Sequence, residues 1–163
     1  MEIYLMQHGE SYPKDKDSER SLTPQGEDQI HLSGKALKKM GVYFDLIISS
    51  PKKRAQQTAN IIAAELGYSQ DEIKVTETLE PTVPAKDALS YLKTFSLKNR
   101  IFLAGHLPSL GEIASALMSD KYRISFHFEM GGVVRIDVYV LQAGSGDLRW
   151  ILTPDQLALL AQV

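Results

Sequence analysis

Two histidines, His8 and His106, each follow a short apolar run, in Gln7-His8-Gly9 and Gly105-His106. A third run ends in Ser49-Ser50-Pro51-Lys52-Lys53-Arg54. If the three runs are parallel strands of one sheet, two imidazoles and one guanidinium meet at the same edge. Such a trio can hold and attack a phosphoryl group. An imidazole serves as nucleophile and divides one difficult step into two easier ones. A second imidazole, protonated, neutralises the phosphoryl oxygens, and a guanidinium matches those oxygens with its planar fork. This chemistry needs no cofactor and no metal. Catalysis of this kind is mostly positioning and electrostatic stabilisation. One position breaks the pattern. The residue before His8 is Gln7, where an arginine would be the natural choice.

The elements that would position these groups are legible from apolar runs and turn residues. Ile3 to Met6 reads as a short buried strand, and Glu10 to Ser21 as a polar loop. Thr23-Pro24 starts a helix, with Thr23 as its cap. Ile30, Gly34, Leu37 and Met40 follow at helical spacing, and Gly41 supplies the stop. Leu46-Ile47-Ile48 is a second strand. Ser50 caps the next helix, which carries Ala55, Ala59, Ile62 and Leu66 on one face and ends at Gly67. Arg54 falls in the first turn of that helix, where a cation is disfavoured unless an anion is bound.

Ile73 to Val75 reads as a third strand and Thr76 to Pro84 as a loop. Ala88, Leu89, Leu92 and Phe95 mark a helix. Ile101 to Ala104 is a fourth strand, and Leu110 to Met118 a helix after Pro108. Val133 to Leu141 and Leu148 to Leu152 flank Gly144-Ser145-Gly146-Asp147, a hairpin signal. Thr153-Pro154 opens a short final helix. Strands alternating with helices predict an α/β fold, a three-layer α/β/α sandwich whose sheet is mostly parallel and closes with an antiparallel C-terminal hairpin. Ligands of such sheets bind beyond the carboxyl ends of the strands, the edge that His8, Arg54 and His106 share.

The 163 residues are read as a single domain, 1–163, with 44% hydrophobic and 23% charged residues, ordinary for a soluble globular chain. A formal net charge of −2 gives no global field to recruit nucleic acid. The absence of cysteine excludes disulfides and thiolate chemistry. No run approaches the roughly 20 apolar residues of a membrane span, and the N-terminus lacks the features of a signal peptide. A cytoplasmic protein is expected, with no nucleic-acid or membrane partner. Its oligomeric state is open, with a monomer as the default.

The chain resembles the histidine phosphatase superfamily, also called phosphoglycerate-mutase-like. The resemblance spans nearly the whole chain. It rests on Leu22-Thr23-Pro24-Gln25-Gly26, on Ser50-Pro51-Lys52-Lys53-Arg54-Ala55-Gln56-Gln57-Thr58-Ala59 and on Gly105-His106. Gln7-His8-Gly9 departs from the family's Arg-His-Gly. The short length, the brief Thr76–Pro84 loop and Arg20-Ser21-Leu22-Thr23 look most like phosphohistidine phosphatases of the SixA type. The resemblance implies that His8 is the phosphorylated nucleophile and that Arg54 and His106 hold the phosphoryl oxygens. It makes Gln7, Gly9, Arg20 and Glu80 candidate substrate contacts. Glutamine brings no charge, and loss of one charge-assisted bond costs about 1.5–3 kcal/mol, about ten- to a hundredfold in rate. Arg20, or a lysine of the Lys14–Lys16 loop, is the candidate compensation.

The expected partner is a phosphohistidine-bearing protein, with small phosphate esters second. An ester needs a general acid for its leaving oxygen, for which Glu77 and Glu80 are the candidates; a phosphoramidate needs less help. A phospho-binding module with weakened or lost turnover is the competing class, because of Gln7. A sugar-acid mutase calls for a longer chain, and no motif of a metal hydrolase is present. His31 and His127 read as structural or solvated, and Lys52 and Lys53 as a solvated basic face.

Overall fold

The computed structural model describes residues 1–162. Six strands form one sheet: β1 (Glu2–Gln7), β2 (Leu46–Ser49), β3 (Lys74–Val75), β4 (Arg100–Gly105), β5 (Val133–Val138) and β6 (Gly146–Leu152). Their order across the sheet is β3-β2-β4-β1-β5-β6. The first four pair in parallel, while β5 runs antiparallel to β1 and β6 antiparallel to β5. Helices α1 (Pro24–Lys39), α2 (Lys53–Leu66), α3 (Ala85–Lys93), α4 (Ser109–Met118) and α5 (Pro154–Gln162) cover it. This is the expected three-layer α/β/α sandwich with an antiparallel C-terminal hairpin.

The two-residue period of a strand sorts the core into two clusters. Ile3, Leu5, Ile101 and Leu103 pack with Leu89 of α3 and with Leu110 and Ile113 of α4. Tyr4, Met6, Phe102 and Ala104 pack with Ile30 and Leu37 of α1, Ile62 of α2 and Leu157 of α5. Strands β1, β2 and β4 are nearly all apolar because both faces are buried.

Local chemistry explains most element boundaries. Thr23 Oγ1 accepts the N–H of Gly26 and Pro24 occupies the first helical position, so α1 starts where expected. Gly67 ends α2 in the left-handed conformation at φ 72°. Three boundaries differ from the sequence reading. Strand β3 is only two exposed residues, because Lys74 and Val75 cover an edge. The Thr76–Pro84 loop contains a 3-10 turn at Glu77–Leu79, whose Leu79 is buried. Strand β5 stops at Val138 and β6 begins at Gly146, so Gly146-Asp147 belong to the strand and the connection runs from Tyr139 to Ser145.

Candidate active site

The sheet order puts β1 beside β4 in register, Met6 opposite Ala104 and Gln7 opposite Gly105. The ladder continues one step further, His8 N–H donating to Gly105 O at 3.1 Å. Alternation then places His8 and His106 on the face that carries Tyr4, Met6, Phe102 and Ala104, the side on which α2 packs. Their ring centroids are 5.1 Å apart. Helix α2 begins directly after β2 and brings Arg54 to the same point, Nε donating to His8 Nε2 at 3.1 Å. His8, Arg54 and His106 are 6%, 8% and 2% exposed. The three groups that lie 98 residues apart in sequence at the extremes are therefore one buried cluster.

The tautomer of His8 follows from its neighbours. Its Nδ1 lies 2.7 Å from the carbonyl oxygen of Gly9. A carbonyl only accepts, so Nδ1 carries the proton and Nε2 presents its lone pair. Burial is the main cause that lowers the His8 pKa to about 4, with Arg54 and Arg20 adding to it and the Gly9 bond opposing it. His8 is thus a neutral imidazole with a nucleophilic Nε2 at physiological pH. Burial, then the neighbouring His8, Arg54, Lys52 and Arg20, lower His106 to about 3. Burial and Arg20 also lower the pKa of Arg54. A buried cluster beside this many cationic side chains is suited electrostatically to an anion.

Two neighbours hold the cluster and a third shapes the loop that carries Arg20, and the sequence reading gave none of them that role. Thr58 Oγ1 accepts the Gly9 N–H at 3.1 Å and donates to Arg54 O at 2.8 Å, joining the strand end that carries His8 to the helix that carries Arg54. Ser50 Oγ lies 2.8 Å from His106 Nε2. Ser50 is therefore not the cap of α2. The cap position is Lys52, which has no side-chain cap bond, and the Ser50 hydroxyl faces His106 instead. Asp17 accepts the N–H groups of Glu19 and Ser21, which bends the loop and lowers its own pKa to about 2. All three are short polar residues whose side chains bond to backbone or to another element, a role that motif spacing alone does not distinguish from capping.

The candidate substrate contacts fall at different places. Gln7 is half-buried and, by alternation, on the opposite face of the sheet from His8, with Gly105 as its in-register neighbour. Gly9 makes a close approach: a Cβ there would meet Ile30 Cγ1 at 2.8 Å and Gly26 O at 3.0 Å. Arg20 has a left-handed backbone at φ 54° and donates from Nε to Tyr12 O. It lines a cleft of about 580 Å³ with Lys14, Lys52, Lys53, Arg54 and Gln57. Lys53 in that cleft is paired with Glu19 at 2.7 Å. Glu80 is half-buried and paired with Lys52 at 3.0 Å, while Glu77 is exposed. His31 pairs with Glu65 between α1 and α2, and His127 is 86% exposed at its side chain; both lie outside the cluster. Among the described residues, no three His, Asp or Glu side chains are grouped to hold a metal ion, and no helix is long and apolar enough to cross a membrane.

Comparison with known proteins bears on the family and the fold. The histidine phosphatase superfamily (branch 1) profile matches residues 3–80. An uncharacterised protein of Picosynechococcus sp. is 30% identical over 161 residues, covering 94% of this chain and 96% of the relative. A phosphohistidine phosphatase SixA homologue of Haemophilus influenzae is 29% identical over 136 residues, 78% of this chain and 83% of that one. The solved structure of the protein histidine phosphatase SixA complexed with tungstate superposes with a TM-score of 0.85 at 24% identity, covering 96% of this chain and 99% of that one. With the sheet order, the paired histidines and the helix-borne arginine all in place, the chain belongs to the histidine phosphatase superfamily.

Proposed function

We propose that this protein is a metal-independent phosphatase that works through a phosphohistidine on His8, with phosphohistidine-bearing proteins as its main substrates. The observation that carries the reading is the state of His8: neutral, with its proton on Nδ1 and its Nε2 lone pair beside Arg54. In the first step Nε2 bonds to phosphorus as the bond from phosphorus to the leaving nitrogen breaks. That nitrogen departs with a proton taken from solvent. In the second step water bonds to phosphorus, the bond to Nε2 breaks, and phosphate and one proton leave. Arg54 and His106 hold the phosphoryl oxygens through both steps.

Two features favour a phosphoramidate over an ester. Glu80, the half-buried acid candidate, is tied to Lys52, and a departing imidazole needs less protonation than an alkoxide. The cleft beside Arg54 is wide and cationic, which suits a phosphorylated segment of another protein. The tungstate bound by the SixA protein is a tetrahedral oxyanion, as phosphate is. In this reading the whole chain acts as one domain, a cytoplasmic monomer.

The test is trapping. Incubation with radiolabelled phosphoramidate, followed by denaturation, is expected to leave acid-labile, alkali-stable label on the wild type and none on His8→Ala. Turnover is expected to survive excess chelator. Tight phosphate binding with no label at any donor concentration would make the protein a phospho-ligand-binding module instead, the reading that Gln7 favours. Label lost in chelator would remove the metal-independent step.

A further inference from the structure

The Ser50 hydroxyl stands 2.8 Å from His106 Nε2 and accepts the N–H of Lys52 at 3.3 Å. Ser50 is fully buried, and its backbone N–H is bound to Ala104 O at 3.0 Å. The other ring nitrogen of His106, Nδ1, is buried and has no protein partner. A hydroxyl has one proton and two lone pairs. With one lone pair given to Lys52, Ser50 retains one proton and one lone pair to offer the imidazole.

We infer that Ser50 is a positioning residue that sets the protonation pattern of His106: it donates to Nε2 while the ring is neutral, and accepts from Nε2–H when an anion makes the ring cationic. The ring keeps the same partner in both states. In the neutral state the proton must then lie on Nδ1, the nitrogen with no acceptor in the protein. A buried unpaired donor is costly and is relieved by a ligand or a change of state.

The charges around His106 fix which state belongs to which stage. The His8 ring lies beside it, and the cations Arg54, Lys52 and Arg20 all disfavour a proton on it. Glu80 offsets part of the Lys52 charge. The empty site therefore holds a neutral ring. A phosphoryl dianion reverses the local sign and draws a second proton from water onto the imidazole. A fixed donor such as an amide N–H would serve only the first state, and a carbonyl only the second. A hydroxyl serves both by rotating.

The first half of this inference stands on the empty site alone; the second rests on the phosphatase reading. The experiment separates them. Ring-nitrogen NMR of histidine-labelled protein, assigned with His8→Asn and His106→Asn, reads the tautomer and charge of His106 without turnover. The expected result is an Nδ1–H neutral ring in the free protein and a doubly protonated ring on saturation with inorganic vanadate. Ser50→Thr and Ser50→Val differ only in hydroxyl against methyl. Thr is expected to keep the Nδ1–H tautomer and most of kcat. Val is expected to give a tautomer mixture, to lower kcat about tenfold, and to shift the pH profile of kcat more than that of KM. Should both branched side chains be rejected, Ser50→Ala carries the same expectation as Val. An Nε2–H ring in the wild type, or an unchanged tautomer in Val and Ala, would overturn the role of Ser50. A neutral ring with vanadate bound would overturn the switch.

Discussion

Gln7 bears on how the site meets charge. It ends β1 half-buried, on the opposite side of the strand from His8. A side chain there must curl over the end of the sheet to reach a ligand held by His8. Arginine has that reach and a charge; glutamine has neither to the same degree. Opposite it is Gly105, which has no side chain to block the way. Gln7→Arg is expected to raise kcat/KM on a phosphoramidate about ten- to a hundredfold, the worth of one charge-assisted bond. Steady-state kinetics beside the wild type reads this directly. No gain would show that Arg20, whose charge already lowers the pKa of both histidines, fills that part of the site.

At the scale of elements, the crossing of two backbones matters most. The chain leaving His8 passes over the first turn of α1, where Thr23 N–H binds Glu10 O and Thr23 Oγ1 donates to the Glu10 carboxylate. A Cβ on Gly26 would overlap the Glu10 carbonyl, a backbone atom that cannot turn aside. Gly26→Ala is expected to lose about 2–4 kcal/mol in urea unfolding, a large effect for one methyl. An unchanged midpoint would show that α1 can slide away from the His8 loop.

The same crossing shows what could be read from sequence. Thr23, Pro24 and Gly26 announce a helix start by type and spacing, and the start lies there. The apolar runs of β1, β2 and β4 are unambiguous because both faces are buried. The short β3 and the Tyr139–Ser145 connection are less legible, because exposed edge strands and hairpin ends carry little hydrophobic pattern. His8, Arg54 and His106 were nameable because each follows a strand. The roles of Ser50 and Thr58 as partners were not, since their hydroxyls bond across elements and nothing local marks the direction.

For the molecule as a whole, two buried neutral imidazoles set an acid limit on stability. In the unfolded chain each takes a proton near pH 6.5; in the folded one His8 does so only at about 4 and His106 at about 3. Between these values the unfolded chain binds more protons. The contribution is complete above pH 6.5 and declines as pH falls toward 4 for His8 and 3 for His106. By pH 5.5 the loss is about 1 kcal/mol per imidazole. Thermal unfolding at pH 7.5 and 5.5 is expected to show a smaller drop in Tm for His8→Asn/His106→Asn than for the wild type. Equal drops would mean that both rings are already protonated in the folded chain.

The guanidinium on His8 Nε2 has one more consequence. In the proposed reaction the lone pair that attacks is the one Arg54 caps, and only something negative draws that guanidinium away. A neutral electrophile gives Arg54 no reason to turn, and so meets a shielded ring. On the proposed mechanism, resistance of His8 to acylating and alkylating agents is expected ahead of any recognition of the rest of the substrate.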